Sequence, residues 1–355
     1  MKIVRVLPDS IIIKDFLSLP KMLYTKQDNM ENEKEVEKLI TGTHVLSKYF
    51  EVYPYVCYSS ENKVVGRFMM TVYPDDDILY FGLFECINDN IVAKFIFDFV
   101  YKYGKDNHFK KIIGPVDASF WIKYRLKVNK FNIRPYTGEP YNKDYYLDLF
   151  LNNGFNISER YLSNIYNIVS DDYINEKFKK RVEKCKVSGY VIKSPLPKDF
   201  DRVLDEVYYL ITELYKDFPV YKHIEKEDFK NIFDSFRQIV NYSMVKMAYY
   251  NEEPVGFFIS IPNYNNLVYN LNAINITRIL GIKKKPTEFV MLYMGALRKH
   301  LGVGAAMSYL IVEELRKSKL PSIGALIKEG KVTQGYIGDL VDSRYEYVLL
   351  EKDIV

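Results

Sequence analysis

Runs of apolar residues with alternating and helical spacing follow one another in an order that occurs twice along the chain. In the first half, Tyr53–Tyr58 and Val64–Val72 read as strands joined across Ser60-Glu61-Asn62-Lys63, a hairpin signature. A third strand is predicted at Ile78–Phe84. Apolar positions three and four apart then predict a helix over Ile91–Tyr103, and Lys111–Pro115 reads as a strand. In the second half, helices near Phe200–Tyr215 and Lys226–Ile239 precede a hairpin, Val245–Tyr250 and Val255–Ile261, turning at Asn251-Glu252-Glu253-Pro254. An insertion from Tyr264 to Lys285 follows. After it come a strand at Phe289–Met294, a helix at Met307–Arg316, and strands at Ser322–Ile327 and Tyr345–Leu350. The order strand, strand, strand, helix, strand predicts an α+β chain built as a weak internal repeat. The polar stretch from Ser170 to about Lys198 marks the seam, so the expected domains are 1–170 and 171–355.

One loop separates the halves chemically. Between the predicted strand and helix of the second half lies Arg298-Lys299-His300-Leu301-Gly302-Val303-Gly304-Ala305-Ala306. Glycines let a ligand approach the backbone, and a helix start offers unpaired N–H groups with a positive dipole end. Such a loop is either a tight strand-to-helix turn or a phosphate cradle. The third glycine of the dinucleotide fingerprint is missing, as is a Gly-Lys-Ser/Thr ending. The matching place in the first half, Glu85-Cys86-Ile87-Asn88-Asp89-Asn90, has no glycine and two acids. It repels a phosphate, and Asp89 or Asn88 reads there as a helix N-cap.

With Lys299 leading, Lys299-His300-Leu301-Gly302-Val303-Gly304 fits the loop that cradles the pyrophosphate of coenzyme A, and here the chain resembles the GNAT N-acetyltransferase superfamily. The two hairpins support this, since Val64-Val65-Gly66 and Pro254-Val255-Gly256 both follow a polar turn. The run Gly114-Pro115, a long loop, Pro140-Tyr141-Asn142, Tyr145-Tyr146 and Gly154-Phe155 resembles a bacterial tandem-GNAT family over most of residues 50–355. The resemblance implies two GNAT-like domains, each a mainly antiparallel mixed sheet flanked by helices. It also implies acetyl-CoA or another acyl-CoA as co-substrate and an amine, small molecule or peptide, as acceptor. The first domain, lacking the loop, would shape the acceptor site.

What the resemblance implies for individual residues follows. Lys299, His300, Leu301, Gly302, Val303, Gly304 and Ala305 would hold the pyrophosphate. A main-chain N–H within Met294, Gly295, Ala296 and Leu297 would polarise the thioester carbonyl, with Gly295 marking a bulge. Glu288 is the nearest carboxylate to act as base. Tyr336 is the candidate to protonate the leaving thiolate, although the asparagine usual near that segment is replaced in Lys328-Glu329-Gly330-Lys331. Trp121, Tyr136 and Tyr264 are candidates to line the acceptor groove. Two other readings share the fold: a non-catalytic coenzyme A-binding regulator, and an aminoacyl-tRNA-dependent peptidyl ligase. The second of these is disfavoured by the intact glycines.

Composition narrows the partners. A net charge of +4 with only short basic runs, Lys179-Lys180-Arg181 and Lys283-Lys284-Lys285, does not suggest nucleic-acid binding. Cys57, Cys86 and Cys185, like His44, His108, His223 and His300, have no metal-ligand spacing, so no metal is expected. No stretch reaches the ~18 apolar residues of a membrane span, and a cytoplasmic protein is expected. The oligomeric state is not legible.

Overall fold

The first unit of the chain opens with β1 (Lys2–Arg5) and two helices, α1 (Ile12–Leu23) and α2 (Glu33–Thr41). Asn32 caps α2 by accepting from the Glu35 N–H, and Gly42, at φ +71°, ends it. The hairpin β2 (Glu51–Tyr58) and β3 (Val64–Val72) forms as predicted and is followed by β4 (Ile78–Cys86), α3 (Asn90–Asp106) and β5 (Lys111–Gly114). Short elements β6 (Leu126–Lys127) and α4 (Tyr146–Leu151) follow, with Gly154 at φ +81° just beyond α4. The computed structural model describes residues 1–355, apart from the side chain of Val332.

A strand not foreseen from the sequence, β7 (Asn156–Tyr166), leads into the expected seam, and this too is structured: α5 (Glu176–Val187) and β8 (Tyr190–Lys193) occupy it. Asn175 caps α5 by accepting from the Phe178 N–H at 3.1 Å. The helix looks like linker because it buries only Phe178, Val182 and Cys185. Then come α6 (Phe200–Tyr215), α7 (Lys226–Phe233), α8 (Phe236–Ile239), β9 (Val245–Tyr250) and β10 (Glu253–Pro262). The insertion carries α9 (Ala273–Lys284). The chain closes with β11 (Phe289–Ala296), α10 (Val303–Ser318), β12 (Ser322–Lys328) and β13 (Val341–Asp353).

Contacts divide the chain into one unit of Met1–Pro135, Glu139–Arg160 and Glu346–Val355, and another of Tyr136–Gly138 and Tyr161–Tyr345. This differs from the expected cut at 170/171 because each sheet takes its last strand from elsewhere in the chain. In the first unit the order is β1-β2-β3-β4-β5, completed by β13, whose Leu350–Asp353 pair antiparallel with Lys111–Gly114. In the second it is β8-β9-β10-β11-β12, completed by β7, where Tyr161 and Tyr166 lie opposite Lys328 and Ser322. Such pairings are set by tertiary contact and leave no local mark. Each sheet holds one parallel pair, β4–β5 or β11–β12, amid antiparallel neighbours. The fold is α+β, as expected, and the order of elements does repeat.

The first unit is held by an aromatic core in which Phe81, Phe84, Phe97 and Phe150 make stacked, tilted and edge-on contacts at ring distances of 4.9–5.9 Å. In the second unit the core lies between the sheet and α5/α10, with Phe178, Val182, Val303, Ala306, Met307 and Ile311 buried together.

Candidate functional site

Three residues of β11, Phe289–Met291, pair parallel with Ser322–Gly324 of β12, and then the two strands part. Both carry an extra residue at that point. Opposite β10, Ile259 faces Tyr293 and Ser260 faces Met291, which leaves Leu292 as a bulge. In β12 the register against β7 slips between Gly324 and Ile327, and Leu326 adopts φ +57°. Its N–H turns away from β11 to donate to Ser163 Oγ at 2.9 Å. Tyr136 Oη shares that hydroxyl at 2.8 Å, so a buried contact within the second unit holds β12 aside.

The parting leaves a cleft of about 410 Å³ through the sheet. Met291 to Arg298 form one wall and Gly324 to Lys328 the other, with His300, Leu301, Gly302 and Gly304 at the mouth. On one face Met294 reaches toward α10. A Cβ on Gly304 would meet Tyr336 Oη at 3.0 Å and Met294 Cε at 3.2 Å. On the other face Gly295 turns toward α6, where a Cβ would meet Leu214 Cδ1 at 2.5 Å. Gly295 therefore pairs in register with Phe257 and admits α6. The bulge expected there sits three residues earlier, at Leu292.

At the mouth, Gly302 takes φ +93° as the N-cap of α10 and supplies no side-chain cap to the first turn. The arrangement presents backbone N–H groups at a positive dipole end beside open space. Arg181 of α5 packs over this turn: its Cδ would lie 3.2 Å from a Cβ on Gly302. It is the cation that sequence reading passed over, hidden in a stretch taken for the seam. The signal was present, since Phe178, Val182 and Cys185 recur at helical spacing after the Asn175 cap and place Arg181 on an adjoining face. The cations that line the cleft itself are Arg298, Lys328 and Lys331, with Arg298 paired to Asp217 at 3.1 Å. Lys299 is exposed and stands outside the lining.

The other expected residues fall into two groups. Tyr336 lines the cleft above the start of α10, and burial raises its hydroxyl pKa while Arg181 pulls it back down. His300 lines the mouth, but its Nδ1 lies 2.9 Å from Tyr190 Oη, so it braces β8, while burial and then the Lys299 charge lower its pKa. Val303 and Ala305 are buried in the first turn of α10. Ala296 and Leu297 continue the cleft wall. Glu288 is not brought to the cleft. It sits before β11, accepts from Asn263 Nδ2 at 2.5 Å, and is raised in pKa by burial against that hydrogen bond. Among the described lining residues there is no carboxylate. The three aromatics expected to line a groove do not do so. Tyr136 and Tyr264 are fully buried, the latter donating to the Ile239 carbonyl at 2.6 Å, and Trp121 is buried in the first unit beside Phe120. Their apolar rings are used as core, which outweighs their appearance as loop residues.

In the first unit the same strand pair begins alike. Ile78–Tyr80 pair parallel with Lys111–Ile113, and an extra residue follows in β4, where Leu83 has φ +44°. Here the chain stays on β4. The Val116 N–H donates to the Phe81 carbonyl at 2.8 Å, and Asp117 Oδ1 accepts from the Leu83 N–H at 2.6 Å. A Cβ on Gly82 would lie 1.9 Å from the Val116 oxygen, so backbone fills the gap. Asp89 caps α3 by accepting from the Ile91 N–H at 2.8 Å. Glu85, expected in a loop, is a half-buried strand residue that accepts from Tyr24 Oη at 2.8 Å and Tyr146 Oη at 2.5 Å. Burial pushes its carboxyl up to about 7.

Among the described residues no cluster of side chains could hold a metal ion, and no helix is long and apolar enough to cross a membrane. No family model and no curated protein matches the chain. Solved structures do. A tandem GNAT protein from the clavulanic acid biosynthesis pathway superposes with a TM-score of 0.56 at 8% identity, covering 100% of this chain and 98% of that one. A GCN5-related glucosamine N-acetyltransferase region of a fungal multi-domain GH3 β-N-acetylglucosaminidase gives 0.56 at 11% identity, covering 99% of this chain and 38% of that one. At such identities the likeness is one of fold: the chain has a tandem GNAT-like fold.

Proposed function

We propose that this tandem GNAT-like fold is an acyl-CoA-dependent N-acyltransferase whose second unit alone holds the donor. The observation that carries the reading is the cleft between β11 and β12, which opens at a glycine-lined helix start with no side-chain cap. Gly302 and Gly304 leave room that any Cβ would take. The N–H groups of the α10 first turn hold the pyrophosphate, and Arg181, Arg298 and Lys299 draw it in. Beyond Met291 the β12-facing edge of β11 has lost its partner strand, so its backbone N–H groups near the Leu292 bulge face the cleft. There they polarise a thioester carbonyl.

In this mechanism the acceptor nitrogen attacks the carbonyl carbon, the C–S bond breaks as the C–N bond forms, and Tyr336 Oη delivers a proton to the departing sulfur. The amine releases its own proton to water, because no carboxylate reaches the cleft. Glu288 braces the base of β11 through Asn263 instead. Thiol release from acetyl-CoA across a panel of primary amines tests the reading, with turnover on at least one expected. Tight coenzyme A binding with no turnover on any amine would favour a non-catalytic coenzyme A-binding protein.

A further inference from the structure

A second cavity adjoins the cleft on the α6 face of the sheet. It measures about 60 Å³, enough for roughly four to six water-sized spheres, and lies between α6, α7 and α8 and strands β9–β11. Its walls are aliphatic and aromatic, among them Val207, Ile211, Phe229, Phe233 and Ile259. Water gains nothing in such a space, whereas a hydrocarbon does.

The position identifies the occupant. Tyr293 lines both the cavity and the cleft. Helix α6 also borders both, with Val207 and Ile211 on the cavity and, one turn on, Leu214 and Tyr215 on the cleft. The cleft runs through the sheet from Met294 and Gly304 on the α10 face to Gly295 and Leu214 on the α6 face. A thioester whose pyrophosphate rests on α10 would therefore present its acyl group on the α6 face, beside Tyr293. The Tyr293 ring is half-buried and stands edge-on to Phe233 at 6.0 Å, forming the partition between the two spaces.

We infer that this cavity receives the acyl chain of the donor, and that the preferred donor carries a short straight chain of on the order of four to six carbons rather than acetyl. The inference rests on the proposed donor site, and its test separates the two. Binding of free coenzyme A and of acetyl-, butyryl-, hexanoyl-, octanoyl- and palmitoyl-CoA is measured by calorimetry on the full chain without acceptor. Failure of free coenzyme A to bind would overturn the donor site itself. If it binds, affinity is expected to rise by roughly threefold to fourfold per methylene from acetyl to hexanoyl and to level off or fall from octanoyl onward. Equal affinity across the series would overturn the acyl pocket while leaving the donor site standing. A Val207→Phe variant, checked for folding by its melting without ligand, is expected to lose at least tenfold in hexanoyl-CoA affinity. Unchanged hexanoyl-CoA affinity in a folded Val207→Phe protein would equally count against the pocket.

Discussion

Both units start their parallel strand pair with three matched residues and then insert an extra residue, in β4 in the first and in each of β11 and β12 in the second, yet the two gaps end differently. In the first, Pro115–Asp117 stays against β4, and the Asp117 carboxylate takes the Leu83 N–H. In the second, Leu326 turns outward to Ser163 and the gap remains open. The helix starts differ to match. Helix α3 carries a carboxylate cap at Asp89, and α10 has a bare glycine. One scaffold thus gives a closed unit that satisfies its own backbone and an open one that leaves N–H groups for an anion. On the proposed function, which of the two sheets binds a ligand is decided by what the chain does in the few residues after the parallel pairing ends.

The sharpest way to break this comparison is to disturb the filled gap. Gly82→Ala forces a Cβ into the Val116 backbone, and a loss on the order of 3 kcal/mol is expected. Denaturant melting reads it, and a change within experimental error would show that the gap is not closed by close contact. Next in size, Tyr336→Phe is expected to lower kcat about a hundredfold while coenzyme A still binds. Steady-state kinetics with paired calorimetry separate the two, and a matching loss of affinity would make the hydroxyl a binding group.

A smaller effect concerns Glu85. Its folded pKa of about 7 stands above the ordinary 4.5, so the folded chain keeps a proton that the unfolded chain releases. The sign follows: this group's contribution to stability is greatest below about 4.5 and is lost as pH rises through about 7. Glu85→Gln retains an acceptor for Tyr24 and Tyr146 and carries no charge. It is expected to raise Tm relative to the wild type by about 2–4 °C at pH 8 and by less at pH 5. An equal shift at both values would show that Glu85 is ionised throughout.

Much of this architecture is legible in the residues. The hairpins announce themselves by apolar runs around polar turns, and the α10 loop by its glycines. The absence of glycine near Asn88 already separates the halves. What escaped has physical reasons. The last strand of each sheet pairs with segments far away in sequence, and no local pattern encodes such a partner. The bulge at Leu292 is made by a leucine, whose backbone excursion leaves no compositional trace, whereas Gly295 suggested a bulge and serves helix packing instead. Tyr136 and Tyr264 looked like groove residues because they sit in irregular segments, but burial settles an aromatic ring more strongly than its loop does. Arg181 lay in a helix whose thin apolar stripe is easily read as linker.

The central claim is that one of two alike halves holds the donor, and calorimetric titration of the full chain with coenzyme A tests it most directly. The account predicts one molecule bound per chain, no binding in Gly304→Glu, where the new side chain meets Tyr336 and Met294, and unchanged binding in Asn90→Glu at the start of α3. Two molecules per chain, or one that survives Gly304→Glu, would contradict it.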